Sequence, residues 1–270
     1  MLRAFACLLV ALTAAAAGSS EQASSHDELE AVLRRAVAGY HRIRREIHDY
    51  RCVLTKRERV QGQLREAETA VLKVRHQRTE DNRVVTPFSV YLRFLAPSAV
   101  KDREVLYVHG RNNSNLIVRN GGPRFGFITT ALPPESPVVL SESRYPITEV
   151  GVQMLTRRLI EVGMHELEYG DCHVQVAEGA RLDNRSCTLI QVSQNRRRED
   201  PGWKLVRILI DDELELPVYY AAYDWPEQEG GSPVLLEEYI YSRIELNVGL
   251  SDVDFDHRNE DYSFSRSFRP

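Results

Sequence analysis

The chain has 270 residues, 43% hydrophobic and 27% charged, with 35 basic and 39 acidic side chains giving a net charge of −4. That length suits one large domain or two small ones, and the composition excludes a disordered or collagen-like chain. The small acidic excess argues against general nucleic-acid binding, which needs a basic face. Local basic runs at 34–46, 56–59 and 196–200 read as solvated faces or loops, with anionic lipid headgroups as the alternative contact.

Residues 1–18, MLRAFACLLVALTAAAAG, place Arg3 before an apolar run at 4–12 and then small residues with Ala-x-Ala sites from Ala15 to Ala17. This is the three-part pattern of a secretory signal peptide, with cleavage expected near residues 15–20. Cys7 sits inside the apolar run, which is too short to span a bilayer, and no later stretch approaches the ~20 apolar residues a transmembrane helix needs. The expectation is a periplasmic or secreted protein with no transmembrane segment in its mature chain. Residues 19–25 form a polar tail and 26–270 a single domain.

The first element after the tail is a helix. Ser25 and Glu28 have capping-box spacing, and Leu29, Val32, Leu33, Ala36, Val37, Tyr40, Ile43 and Ile47 follow at steps of three and four. The period then changes to two. Tyr50/Cys52/Leu54, Ala70/Leu72/Val74 and Phe88/Val90/Leu92/Phe94 alternate with mostly polar neighbours, as in antiparallel strands with one wet face. A Pro-rich loop at 129–139 precedes a second helix over 144–167, with Pro146 in its first turn and Ile147, Val150, Met154, Leu155, Leu159 and Val162 on its apolar side. Strands resume at 172–194, at 203–225 around an Asp211-Asp212-Glu213 turn, and at 234–249.

About ten strands and two helices without βαβ alternation exclude a doubly wound parallel sheet. The class expected is α+β: one strongly curved antiparallel sheet, an unclosed β-barrel, with helices packed across its hollow face.

Three cysteines follow the signal segment. Cys172 and Cys187 bracket a strand–turn–strand stretch, so a disulfide between them is expected, with Cys52 as a buried apolar group.

Signals of catalysis are thin. HELEY at 165–169 begins like a zinc-protease helix, but Tyr169 stands where the second histidine belongs. No Walker loop, nucleophile elbow or dinucleotide turn occurs, and GGPRFG at 121–126 lacks the spacing of one. Asp211, Asp212 and Glu213 read as a hairpin tip rather than an acid/base cluster. The run DVDFDHRNEDYS at 252–263 has aspartates at calcium-loop positions 1, 3 and 5. His257 replaces the glycine of position 6 and Ser263 the glutamate of position 12. Interleaved Val253 and Phe255 indicate packing, and Phe255, Tyr262 and Phe264 are expected to plug the tail against the body. No catalytic residue, metal ligand or cofactor is assigned.

DYRCVLTKRERVQGQLREAETAVLKVRHQ with PFSVYLRFLAPSAVKDREVLYVHGRNNSNLIV, then YPITEVGVQMLTRRLIEVG, IDDELELPVYYAAYDWP and NVGLSDVDFDHRNEDYSF, resemble in order the segments of a bacterial family of exported proteins, domain of unknown function 1571. More distantly the layout is similar to the LolA/LolB lipoprotein-carrier superfamily, which includes RseB-like sensors. That resemblance implies about eleven antiparallel strands, a helical lid, and a hollow that accepts acyl chains. Inward candidates for such a hollow are Leu54, Leu72, Val74, Val90, Leu92, Phe94, Val206, Ile208, Ile240 and Ile244. The expected partners are a lipid or acylated protein, or an envelope protein if the hollow is filled by its own side chains. A buried carboxylate pair would instead point to a hydrolase of envelope polymers.

Overall fold

Strand β1 (Asp49–Val60) shows how the sheet acquires its two faces. Tyr50, Cys52 and Leu54 are buried on the inner face and Arg51 is exposed on the outer one. The same alternation carries Lys56 and Glu58 onto the inner face, so the far end of this strand brings charge into the interior.

The computed structural model describes residues 25–169, 172–197 and 202–269. The signal-peptide reading and most of the polar tail lie outside these residues. Helix α1 (Ser25–Glu46) leads into β1, β2 (Gln63–Leu64), β3 (Glu68–Arg75), β4 (Arg78–Glu80), β5 (Arg83–Thr86), β6 (Ser89–Ala96), β7 (Glu104–Val108) and β8 (Leu116–Arg119). Helix α2 (Gly122–Phe125), β9 (Thr129–Leu132), α3 (Pro137–Leu140) and α4 (Val152–Tyr169) follow. The last strands are β10 (Cys172–Leu182), β11 (Arg185–Gln194), β12 (Leu205–Asp211), β13 (Pro217–Asp224) and β14 (Val234–Leu246).

Eleven strands run in the order β10-β11-β12-β13-β14-β1-β3-β6-β7-β8-β9, and β2 pairs with β1 to complete a twelve-stranded sheet. The pairings are antiparallel, and β9 and β10 end the sheet without meeting, so the curved sheet is an unclosed barrel. The long β1–β14 pairing stitches the N-terminal strands to the C-terminal ones across the middle. The β4–β5 hairpin stands apart as a separate two-stranded sheet.

The second long helix begins later than its apolar spacing predicts. Ile147–Glu149 form a 3₁₀ turn, Val150 is extended, and Gly151 adopts φ +107° before α4 starts at Val152. The space at Gly151 explains the break: a Cβ there would stand 2.6 Å from the Tyr50 hydroxyl. That hydroxyl accepts a hydrogen bond from the Val152 amide at 3.1 Å, satisfying one of the helix's orphan N–H groups. Helix α4 crosses the inner face, and α1 packs on it so closely that a Cβ at Gly163 would lie 2.6 Å from Leu33 Cδ2. The Pro-rich loop is also shorter than expected, because Thr129–Leu132 form the edge strand β9.

Two apolar clusters lie beneath the helices. One holds Tyr50, Leu72, Val74, Val90, Leu116 and Val152, and the other Leu29, Leu33, Ile190, Val192, Val206 and Ile208. A third lies on the outer face, where Phe255 and Phe264 of the C-terminal tail cover Tyr91, Leu106, Val108 and Ile117. Tyr262 stacks on Tyr91 with centroids 3.9 Å apart, and the Arg75 guanidinium lies over Phe255. The tail aspartates serve this packing: Asp252 pairs with Arg75 and Arg111, Asp254 with Lys73, and Asp256 with Arg258. Ser251 and Asp254 close a capping box around the turn Asp252–Phe255.

The expected Cys172–Cys187 bridge does not form. In the β10–β11 register Cys172 faces Gln194 and Cys187 faces Ala180, at opposite ends of the hairpin. Opposed strands meet bridge geometry only for residues that are register partners, and the turn at Asp183–Asn184 pairs these two with other residues. The Asp211-Asp212-Glu213 segment is the turn it was expected to be. Asp211 is buried, paired with Arg185, and accepts the amides of Glu213 and Leu214.

Candidate ligand-binding hollow

Between the sheet and its helices lie two adjoining cavities of about 570 and 620 Å³. Each is within the range of small-molecule sites, about 300–1,000 Å³. The first lies under α3 and α4 and is floored by Leu54, Ala70, Leu92, Phe94, Leu116 and Leu132. The second lies under α1 and α4 and is lined by Leu33, Ile190, Val192, Trp203, Val206 and Ile208. Helix α4 runs between them, and its Leu155 and Val162 contribute to both.

A polar waist separates the two. Tyr145, Arg158, Tyr220 and Glu237 line both cavities. Glu237 Oε1 accepts from Tyr145 Oη at 3.1 Å and Tyr220 Oη at 3.2 Å, and Arg144 Nε lies 3.2 Å from Oε2. The Arg158 guanidinium lies over the Tyr145 ring, 4.1 Å from its centroid. On the facing strand, Glu58 accepts from Tyr239 Oη, from Lys56 Nζ at 2.9 Å, from Ser143 Oγ at 3.2 Å and from the Arg144 amide at 3.3 Å. Lys56 Nζ also stands 3.4 Å from Glu68.

The two carboxylates are driven in opposite directions. Burial raises the Glu58 pKa, but the Lys56 charge and its hydrogen bonds outweigh it and hold the group below the usual glutamate value. Burial also raises Glu237, and there Arg144 and the two phenols do not compensate, so it stays above that value. The Lys56 ammonium is penalised by burial and more than restored by Glu58 and Glu68.

Of the ten inward positions expected from alternation, Leu54, Leu92, Phe94, Val206 and Ile208 line the cavities. Leu72, Val74 and Val90 lie on the same face but are packed solid under Val152 and Ile147. Ile240 belongs to the other face. It pairs with Thr55 and Tyr219 and packs in the outer cluster of Leu182, Cys187, Leu209 and Val218. Ile244, beyond the bulge at Arg243 (φ +53°), packs against the inner cluster of Tyr50 and Leu72 as well as the outer one, but lines neither cavity. The reason lies in β14, where both alternations are bulky: Glu237, Tyr239 and Tyr241 face the hollow and Ile240 does not. The waist residues were missed for the same cause. Extending the Cys52/Leu54 alternation to Lys56 and Glu58 would have found one half of it.

The architecture defines an open antiparallel half-barrel whose helix-covered face encloses a divided, largely apolar hollow. The chain belongs to the family described as protein of unknown function (DUF1571), whose sequence profile matches residues 47–264. No curated protein matches the chain. Among solved structures it is similar to Pseudomonas aeruginosa MucB in its complex with MucA, at 13% identity and a TM-score of 0.43 over 85% of this chain and 60% of that one. It is similar to Mycobacterium tuberculosis lipoprotein LppX at 16% identity, TM-score 0.42, over 85% and 99%. A LolA superfamily protein from Nitrosomonas europaea aligns at 11% identity, TM-score 0.32, over 84% and 97%. No helix among the described residues is long and apolar enough to cross a membrane.

Proposed function

We propose that this protein is an exported, non-enzymatic binding protein that shelters an acyl chain, free or attached to a protein, in the hollow between sheet and helices. The observation that carries this reading is the pair of adjoining cavities, each with an apolar floor and each of ligand size. Removing an acyl chain from water is worth about 0.8 kcal/mol per methylene, so a sixteen-carbon chain gains about 12 kcal/mol if fully covered. A hollow that competes with a membrane for such a chain must be deep and dry, and the apolar floors at Leu92, Phe94, Val206 and Ile208 support that reading. The signal-like residues 1–18 support a periplasmic or secreted location, with 26–270 as one LolA-like domain. Mass spectrometry of organic extracts from natively purified protein tests the reading. Co-purifying lipid and saturable binding of a fluorescent fatty acid are expected, and repeated absence of both defeats it.

The buried pair Glu58 and Glu237 favours a second reading, a hydrolase with a divided acid and base. Their hydrogen bonding weighs against it. Both carboxylates are occupied by donors of the chain itself, which fasten the Ser143–Tyr145 segment to β1 and β14. Hydrolysis of a glycan or peptide polymer by wild type that Glu58→Gln abolishes would establish the enzyme instead.

A further inference from the structure

The two cavities abut on the same six side chains: Tyr145, Leu155, Arg158, Val162, Tyr220 and Glu237 line both. Leu155, Arg158 and Val162 come from α4, and Tyr220 and Glu237 from β13 and β14. The meeting point therefore lies between the helix and the sheet beneath it. Four of the six side chains are polar. The floors on either side are apolar, with Leu92, Phe94 and Leu116 in one and Val192, Val206 and Ile208 in the other.

That distribution discriminates between occupants. One long chain crossing from cavity to cavity would lay methylenes against Tyr145, Arg158 and Glu237, and covering polar groups without giving them a partner is costly. A two-chain amphiphile has the matching pattern, because its polar atoms sit where its two apolar chains join. The cavities also offer two arms of similar capacity, about 570 and 620 Å³. Arg158 supplies an accessible donor at the junction. Its side chain is 43% exposed, and of the five N–H groups of a guanidinium one goes to Glu149 at 3.3 Å.

We propose that the hollow takes a two-chain lipid, with one acyl chain in each cavity and the ester-linked junction of the chains at the waist, facing Arg158. This rests on the acyl-binding reading above and adds the number of chains and their placement. Two chains held by one junction bind as linked modules. The second enters at high effective concentration, and linkage of that kind raises affinity about 10²-fold to 10⁴-fold over one module alone.

Dioctanoyl phosphatidylglycerol and its one-chain octanoyl counterpart share a head group, so calorimetric titration of both, below their micelle concentrations, isolates the second chain. The two-chain lipid is expected to bind one per protein and about a hundredfold or more tightly than the other. Leu92→Trp fills the first cavity and Ile208→Trp the second, and each is expected to cut that advantage to about tenfold or less. Arg158→Met is expected to weaken the two-chain lipid about tenfold or more, and an unchanged affinity overturns the placement of the junction there. A dioctanoyl lipid with a diazirine on each chain needs no variant. It is expected to crosslink segment 92–94 to segment 206–208 through one lipid molecule. Both chain ends landing in one floor, or an advantage that survives in a folded cavity-filling variant, overturns the two-chain assignment and leaves the acyl-binding reading standing. Failure of both lipids to bind folded wild type overturns both.

Discussion

The Tyr239 hydroxyl donates to Glu58 and stands 3.5 Å from a Glu237 oxygen, so one phenol on β14 joins two buried acids at the waist of the hollow. Tyr239→Phe removes that bridge without opening a cavity. The expected loss is about 1–3 kcal/mol, because a buried acceptor is left short of a donor. Lys56→Met should cost more, about 3–5 kcal/mol, since it leaves Glu58 buried beside no cation. Urea denaturation of both variants checks the order. Equal, near-zero losses would show that the waist contributes nothing to holding the Ser143–Tyr145 segment.

The waist also sets a pH dependence with two opposite limbs. Glu58 is held below its ordinary value of 4.5, so its stabilisation is complete above that pH and is lost as pH falls through the folded value. Glu237 is held above 4.5, so it costs stability increasingly as pH rises from 4.5 through its folded value. The stability difference between wild type and Glu58→Gln should therefore shrink on acidification. That between wild type and Glu237→Gln should move in the variant's favour as pH rises. Unfolding curves at a series of pH values separate the two.

At the start of α4, Gly151 is required by conformation and by space. Gly151→Ala would force a side chain into φ +107° and against the Tyr50 hydroxyl, at an expected cost of about 3 kcal/mol or more. Tyr50→Phe removes only the acceptor for the Val152 amide and should cost about 1–2 kcal/mol. Thermal melts of the two variants test the ranking.

The hairpin register predicts the redox behaviour. With Cys172 and Cys187 facing different partners, a reductant should leave the melting temperature unchanged. Burial pushes the Cys187 thiol up to about 11 and raises Cys52 further, so both should resist maleimide until the protein unfolds. Mass spectrometry after native and denaturing labelling reads this directly.

The tail separates stability from binding. Phe255 is buried on the outer face, so Phe255→Ala should cost about 3–5 kcal/mol while leaving acyl binding by the folded protein intact. Asp256 is held down to about 2, chiefly by Arg258, so it stays charged in mildly acidic buffer. A variant that is stable but has lost binding would tie the tail to the hollow. Fatty-acid titration below the melting temperature is the measurement.

Much of this fold is written in local pattern. The period-two runs at Tyr50–Leu54, Ala70–Val74 and Val90–Phe94 name their strands and their inner faces, because a pleated strand exposes alternate residues whatever its neighbours do. The tail's Phe255, Tyr262 and Phe264 likewise declare themselves as packing groups. Where both alternations of a strand are bulky, as in β14, the local signal has no sign, and Ile240 was placed on the wrong face.

Sequence alone thus determined the antiparallel α+β class and five positions of the hollow's apolar floor through nearest-neighbour spacing, and the family through the resemblance of whole segments. The three-dimensional arrangement decided the rest. Strand register separated Cys172 from Cys187, the Tyr50 hydroxyl moved the start of α4, and the β1–β14 pairing brought Glu58 and Tyr239 together across 181 positions. Such contacts join residues distant along the chain, and their energies depend on burial and partners that exist only once the sheet has curled around its helices.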